Sequence, residues 1–335
     1  MTREQLEIMV QKGLFPGIQS PASLVETHIS WVILSPEFAF KIKKPIQLHF
    51  LDFSTLEKRR FYCTEELRLN QRLAPDMYLA VRAIFNGPEG PFVGTSDHPA
   101  DVIDYVVQMR RQDNAVQMDA CIKERTITTN QMQALAAVIA PFHLNHRIQA
   151  PKAPTLLEDF EDLFTLRDNF KNIVGKIALL EFDGLPESIA FFLKKHALRL
   201  QERADLKFWV DGHGDLHTRN IFLTQPPLVF DCVEFNPHFR QLDILNELAF
   251  LCMELEFYQQ PALAEAFLNA YQTYWSIMPQ PEDQLLFTYF KAYRANVRLK
   301  VTLLELEMRP SEILVEVAKK YWSLMAAYCR RLNET

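Results

Sequence analysis

The sequence predicts an α+β protein in two parts, a small antiparallel sheet with one main helix over residues 1–110 and a large, mostly helical part over 111–335. Three observations lead there. Short strand-like runs bounded by turn residues crowd the chain before Arg110. From about Thr128 onward, apolar residues recur at helical spacing almost to the C-terminus. One stretch interrupts that pattern: His213–Leu223, followed by Leu228-Val229-Phe230-Asp231, reads as strand, turn and strand with polar residues at its ends.

Taken in order, residues 3–12 have the spacing of a short amphipathic helix, closed by Gly13 and Pro16-Gly17. Thr27–Leu34, rich in Ile, Val and Trp, reads as a strand, Ser35-Pro36-Glu37 turns it, and Phe38–Lys43 alternates as a second strand. Alternation puts Ala39, Lys41 and Lys43 on one face and Phe38, Phe40 and Ile42 on the other. Ala39-Phe40-Lys41 has the A-x-K form of a strand lysine that holds nucleotide phosphates. Lys43 shares that face and is the reserve candidate, and the bland alternative is a lysine on an exposed sheet face. Ser54-Thr55-Leu56-Glu57 is a capping box, so a helix is expected from there to about Leu73, before Pro75. Tyr62, Glu66, Leu69 and Leu73 share its apolar face, whereas Glu65 sits with Arg68 and Arg72 on a solvated side. A carboxylate among apolar residues requires a partner, because burying an unpaired charge is expensive. Lys41 is the natural one for Glu66.

Tyr78–Phe85 and Val102–Met109 are further strand-like runs, separated by the Gly87-Pro88-Glu89-Gly90-Pro91 turn region. The polar run Arg110-Arg111-Gln112-Asp113-Asn114 then marks the expected boundary between the parts. It is either an ordinary surface loop or the place where main-chain groups meet a purine. Helices are expected at 130–147, 160–181, 186–203, 241–257, 260–276, 281–307 and 311–332.

Composition limits the classes open to the chain. Net charge is −6, which offers no basic field for nucleic acid. Five cysteines are odd in number, scattered and without a C-x-x-C pair, so reduced cytoplasmic thiols are expected rather than disulfides or a zinc site. The polar N-terminus and the lack of an eighteen-residue apolar run point to neither export nor a membrane span. The oligomeric state is not legible.

The central stretch carries the chemistry. A hairpin of Ile221-Phe222-Leu223 and Leu228-Val229-Phe230 brings Asn220 close to Asp231. That offers amide and carboxylate oxygens to one hard cation such as Mg²⁺. Asp215, on the adjoining loop, is free to take a proton from an attacking hydroxyl, and the set matches the parts needed for phosphoryl transfer. His213-x-Asp215-x-His217 also fits alternating ligands of a transition metal, which leaves Asn220 and Asp231 without a task.

H-G-D-L-H-x-x-N-I at 213–221, Phe230-Asp231-Cys232-Val233-Glu234-Phe235, and Leu242-Asp243-Ile244 ahead of Glu247-Leu248-Ala249 resemble the aminoglycoside phosphotransferase and choline kinase-like family. Phe40-Lys41-Ile42-Lys43-Lys44-Pro45, Phe50-Leu51-Asp52-Phe53-Ser54 and Arg72-Leu73-Ala74-Pro75 are similar to runs in uncharacterised bacterial members. Those often carry an additional P-loop domain. No G-x-x-x-x-G-K-[S/T] occurs here, so this chain is expected to be the first domain standing alone. The resemblance spans roughly residues 25–330 and implies a protein-kinase-like fold. It further implies Asp215 as catalytic base, Asn220 and Asp231 as Mg²⁺ ligands, and Lys41 as phosphate-binding lysine with Glu66 its helix partner. Met109 falls where the hinge backbone contacts adenine, and Asp243 and Glu247 resemble helix carboxylates that hold the catalytic loop. Leu34-Ser35-Pro36-Glu37-Phe38 departs from the glycine-rich loop of protein kinases, which leaves ATP against GTP open. Glu247 stands where such kinases have Asp.

The expected function is Mg-dependent transfer of the γ-phosphate of ATP or GTP to a hydroxyl of a small molecule. The alternatives are transfer to a protein side chain, transfer of AMP, or a silent nucleotide-binding regulatory module. Lys291, Arg294 and Arg298 recur on one side of an aromatic and apolar helix, and are read either as a surface for an anionic acceptor or as ion pairs with neighbouring helices. Glu234 is a second candidate for substrate contact.

Overall fold

The computed structural model describes residues 1–16, 22–48, 50–94, 101–150 and 155–334. Gly17, expected to help close the first helix, lies outside them. The chain divides into two compact units: Met1–Cys121 with Arg219–Phe239, and Ile122–Thr218 with the chain from Arg240 onward.

The first unit opens with helix α1 (Arg3–Lys12), started by a Thr2/Gln5 capping box and closed at Gly13. The strand expected over Thr27–Leu34 begins later, as β2 (Ser30–Leu34), and a strand not expected, β1 (Ser23–Glu26), precedes it. They separate at Thr27, whose hydroxyl takes the Ser30 N–H at 3.0 Å and so turns the chain back on itself. β3 (Phe38–Lys43), the two-residue strands β4 (Gln47–Leu48) and β5 (Leu51–Asp52), and helix α2 (Leu56–Asn70) follow. Then come β6 (Tyr78–Gly87), β7 (Gly90–Gly94) and β8 (Val102–Arg110). The main sheet has the order β1-β2-β3-β8-β6-β7, and every pairing in it is antiparallel.

The alternation in β3 decides what each face covers. Phe40 and Ile42 join Leu6, Met9, Phe15, Trp31, Ile33 and Val106 in the core that α1 closes. Ala39 packs on the other face with Cys63 of α2, Met77, Tyr78, Val107 and Met109. Lys41 and Lys43 therefore emerge on the α2 side, as the two-residue period requires. The returning segment adds the hairpin Ile221–Phe222 with Leu228–Val229, in register Ile221↔Val229. Phe222 also bridges Gln117, and the Leu223 N–H donates to Val116 O at 2.8 Å.

Helix α3 (Met118–Lys123) leads into the second unit. That unit holds α4 (Thr129–Asn145), α5 (Leu156–Glu161), α6 (Arg167–Lys171), α7 (Lys176–Lys195), α8 (Ala197–Asp205), α9 (Ile244–Phe257), α10 (Pro261–Tyr274), α11 (Pro281–Met308) and α12 (Glu312–Asn333). The helix expected at 160–181 is broken instead: a 3-10 turn spans Asp162–Leu166 and Gly175 restarts the chain as the N-cap of α7. Pro186 does not start a helix as expected but lies inside α7, whose buried Phe182, Leu185, Ile189 and Phe192 hold the helix through it. Residues 241–243 are not helical either. They form a strand paired with Trp209–Asp211, which pairs on its other side with Arg147–Ile148. Helix α9 is buried without interruption from Ile244 to Leu255. Among the described residues no helix is long and apolar enough to cross a membrane.

Candidate functional site

In the first unit the site grows from β3. Lys41, with 12% of its side chain exposed, sets its ammonium 2.8 Å from Glu66 Oε1 and 2.6 Å from Asp231 Oδ1. The partner expected for the buried Glu66 is thus present. Lys43 is 1% exposed and donates to Glu66 Oε2 at 2.7 Å and to Glu234. Each Glu66 oxygen therefore faces its own lysine. Burial alone would lift the Glu66 carboxyl, but the two ammoniums outweigh it and hold it well below the usual carboxylate range. Burial opposes the charge on Lys41 as well, yet Asp231 and Glu66 push its pKa well above the ordinary value. Lys41 is a permanent cation with access to solvent, and Lys43 is a permanent cation without it.

Asn220 and Asp231 come together as the hairpin predicts, because the Phe230 N–H donates to Asn220 O at 3.0 Å beside Asp231. Asp231 adopts the left-handed conformation, φ 64°, and its carboxylate keeps 42% exposure. Its N–H donates to the Tyr78 hydroxyl at 3.2 Å, and the next N–H, of Cys232, donates to Asn70 Oδ1 at 2.9 Å. Met109 pairs with Ala39 on β3 and Tyr78 on β6, its side chain buried. The turn between β2 and β3 has no glycine. Ser35 closes it by taking the Phe38 N–H on its hydroxyl at 3.0 Å, and Arg111 donates to Ser35 O at 2.9 Å. Glu234 is buried against Lys43, so the expected substrate contact is replaced by an internal ion pair.

The second unit holds Asp215 on the loop after Trp209–Asp211. Glu247 of α9 accepts the His213 N–H at 2.5 Å and the Gly214 N–H at 3.0 Å. A side chain at Gly212 would put its Cβ 2.7 Å from Glu247 Oε1, and Gly214 has φ 83°, so both glycines are required by this approach. Two turns further along α9, Glu254 accepts the Thr218 hydroxyl at 3.3 Å and the Tyr321 hydroxyl at 2.5 Å. One face of a buried helix thus holds both ends of the loop. Burial would raise the Glu247 carboxyl, but His143, whose Nε2 is 3.5 Å away, and the His213 N–H bring it down to about 2.

Asp215 keeps 37% exposure and lies 3.3 Å from His217 Nε2. Partial burial works to raise its pKa, while the imidazoles of His217 and His213 and the Arg298 guanidinium hold it well below the usual range. His213 and His217 serve this carboxylate and its loop, the Asp215 N–H donating to His213 Nδ1 at 3.3 Å. No group of three potential metal ligands of the His/Cys/Asp/Glu type occurs among the described residues.

One expectation is corrected here, and one pair of alternatives is decided. Asp243 does not reach the loop. It caps α9 through the Leu245 N–H and takes a two-pronged contact from Arg203, both at 2.8 Å. The basic stripe on α11 is also internal. Lys291 pairs with Glu256 at 2.8 Å, Arg298 with Glu254 at 3.3 Å, and Arg294 lies over the Phe250 ring and donates to Gly214 O at 3.2 Å. The ion-pair alternative holds for Lys291 and Arg298, and Arg294 is a brace for the loop that sequence spacing did not reveal.

No family model matches the chain. Uncharacterised proteins of Mycobacterium bovis and Mycobacterium tuberculosis are 30% identical to it over 283 residues, 82% of this chain and 53% of theirs. The chain therefore spans about half the length of these curated relatives. A choline kinase from Cryptosporidium parvum matches with a TM-score of 0.57 and 14% identity, over 99% of this chain and 96% of that one. A choline/ethanolamine kinase family protein from Mesorhizobium loti matches with a TM-score of 0.52 and 14% identity, over 99% and 94%. The GDP complex of an aminoglycoside 2'-phosphotransferase-IIIa matches with a TM-score of 0.54 and 11% identity, over 97% and 98%. The chain has their fold. At such identities the likeness carries the fold alone, and the expected α+β architecture with a sheet-bearing and a helical part is the one observed. What the chain does rests on its own residues.

Proposed function

We propose that this protein is a kinase that moves the γ-phosphate of ATP or GTP to a hydroxyl of a small-molecule acceptor. The observation that carries this is the Lys41–Glu66 ion pair at 2.8 Å, with Asp231 on the same ammonium at 2.6 Å. A strand lysine, a helix carboxylate and a carboxylate beside an amide form the anchoring half of a phosphoryl-transfer site. Nucleotide binding is assigned to residues 1–110, with the Met109 backbone against the base, and acceptor activation to the part from 111 on.

Asn220 and Asp231 would hold Mg²⁺. Hard oxygen donors suit that ion, and the exposed Asp231 carboxylate already attracts a cation, the Lys41 ammonium. When bound, Mg²⁺ supplies neutralisation of the charge on the phosphates. Lys41 anchors the phosphates from the other side and Glu66 orients it. Asp215 accepts a hydrogen bond from the acceptor hydroxyl and aims its oxygen at the γ-phosphorus. A new P–O bond forms there as the bond to the β-phosphate oxygen breaks, and the hydroxyl proton passes to Asp215. With its pKa held low, Asp215 is ionised throughout the physiological range and acts first by orientation, taking the proton late. Lys291 and Arg298 are already neutralised internally, so neither favours an anionic acceptor. The five cysteines, all free and buried, support a reducing cytoplasmic setting.

The test is a transfer screen with γ-labelled ATP and GTP against pools of small metabolites. Label on a low-molecular-weight alcohol is expected. Label on protein alone, transfer of AMP, or no Mg-dependent nucleotide binding at all would each overturn the proposal.

A further inference from the structure

Lys43 and Glu234 have no task in that chemistry, yet both are buried and charged. Removing two charges from water costs several kcal/mol per ion, so such a pair is weak evidence for stability and calls for another reason. The reason lies three residues upstream. Asp231 is a non-glycine residue in the left-handed region, φ 64°, a conformation that costs an L-residue about 1–2 kcal/mol. Strained backbone of this kind persists only where its surroundings over-determine it. Here the chain is fastened at successive positions: Phe230 N–H to Asn220 O, Asp231 N–H to the Tyr78 hydroxyl, Cys232 N–H to Asn70 Oδ1, and Glu234 to Lys43. The last of these is a buried ion pair, and together with the Lys41–Asp231 contact at 2.6 Å it ties the turn to β3.

We propose that the Lys43–Glu234 pair is a positioning device: it fixes the Asp231 turn to β3, so that Asp231, Lys41 and Glu66 are set relative to one another before any ligand arrives. Lys43 holds the second oxygen of Glu66 as well, so one buried ammonium registers helix α2 and the Asp231 turn on the same strand. The two lysines of β3 thereby divide the work. Lys41, with 12% exposure, meets the ligand, and Lys43, with 1%, sets the frame. Taking Asp231 as the cation-binding carboxylate rests on the function proposed above. The positioning of its turn does not.

The experiment compares wild type with Glu234→Gln and Lys43→Met in the full chain. Hydrogen exchange is measured without added nucleotide, alongside melting temperature and Mg-ATP or Mg-GTP affinity by calorimetry. Glu234→Gln keeps the shape of the residue and is expected to speed exchange of the Asp231 and Cys232 amides about tenfold, with β6 and β8 unchanged. It is expected to weaken Mg-nucleotide binding about tenfold. Lys43→Met is expected to loosen the same turn and α2 around Glu66. If it does not fold, Glu234→Gln decides alone. Unchanged exchange at the turn overturns the inference, as does faster exchange spread evenly through the first unit in step with a lower melting temperature. A loosened turn with nucleotide bound as tightly as by wild type also overturns it. If wild type itself binds no Mg-nucleotide while the turn responds as expected, the proposed function fails and the positioning role stands.

Discussion

Glu247→Gln isolates the carboxylate that shapes the loop before Asp215. The change keeps volume and removes one charge, so the cavity term is negligible. Glu247 is fully buried, accepts the His213 and Gly214 N–H groups, and has its pKa lowered from 4.5 to about 2. A shift of that size corresponds to about 3 kcal/mol at 1.36 kcal/mol per pH unit. The same order follows from the contacts, since a hydrogen bond to a charged group contributes about 1.5–3 kcal/mol and the glutamine presents only one acceptor oxygen to two donors. The sign with pH is fixed. The folded pKa lies below the unfolded one, so the stabilisation is complete above 4.5 and is lost as pH falls from there towards 2. Urea denaturation of both proteins at pH 7, followed through the second unit, should show the variant about 3 kcal/mol less stable. The gap should close as the buffer is taken below pH 4.5. Equal stability at neutral pH would refute the assignment, and so would a gap that widens on acidification.

Asp215→Asn should lower kcat by about 10²–10⁴ while leaving Mg-nucleotide affinity near wild type, as read by single-turnover kinetics beside calorimetry. Asp231→Ala should abolish the Mg-dependent part of the nucleotide-induced rise in melting temperature. A rise equal with and without Mg²⁺ in wild type would remove that carboxylate from the metal. Arg203→Met should destabilise the second unit by about 3–5 kcal/mol, because it strips the buried carboxylate of Asp243 of its guanidinium and takes one contact from Asp283. A loss below about 1 kcal/mol in urea would show that these charges are satisfied elsewhere.

The sheet and the Lys41–Glu66 pair on it were legible because both obey short-range rules. Alternation in Phe38–Lys43 separated core residues from lysines. The cost of a buried charge singled out Glu66 on α2 and pointed to its partner. The hairpin likewise brought Asn220 to Asp231 through turn chemistry alone. The helical half was harder. Phe160–Glu181 has apolar periodicity throughout, yet the chain breaks at a 3-10 turn that itself buries Leu163, with Phe170 buried in the short helix after it. At Pro186 the reverse happened, and packing of one apolar face carried a helix through a breaker. Spacing placed Lys291, Arg294 and Arg298 on one side of α11 but was silent about what that side faces. Glu254 and Glu256, which neutralise two of them, lie on another helix 35 or more residues away in the chain. The sequence signal for Glu254 is its place seven residues after Glu247, at the far end of an apolar run.

The first unit is not a continuous piece of polypeptide, since Arg219–Phe239 belongs to it. During synthesis the ribosome completes Lys43, Asn70 and Tyr78 long before it makes Glu234, Cys232 and Asp231. A nascent chain ending near residue 121 therefore holds a buried lysine facing one carboxylate instead of two, and a tyrosine and an asparagine whose backbone clients do not yet exist. Final consolidation of the sheet-bearing half waits for more than half of the other half to emerge. An excised sheet fragment would become well behaved only when residues 219–239 were grafted back.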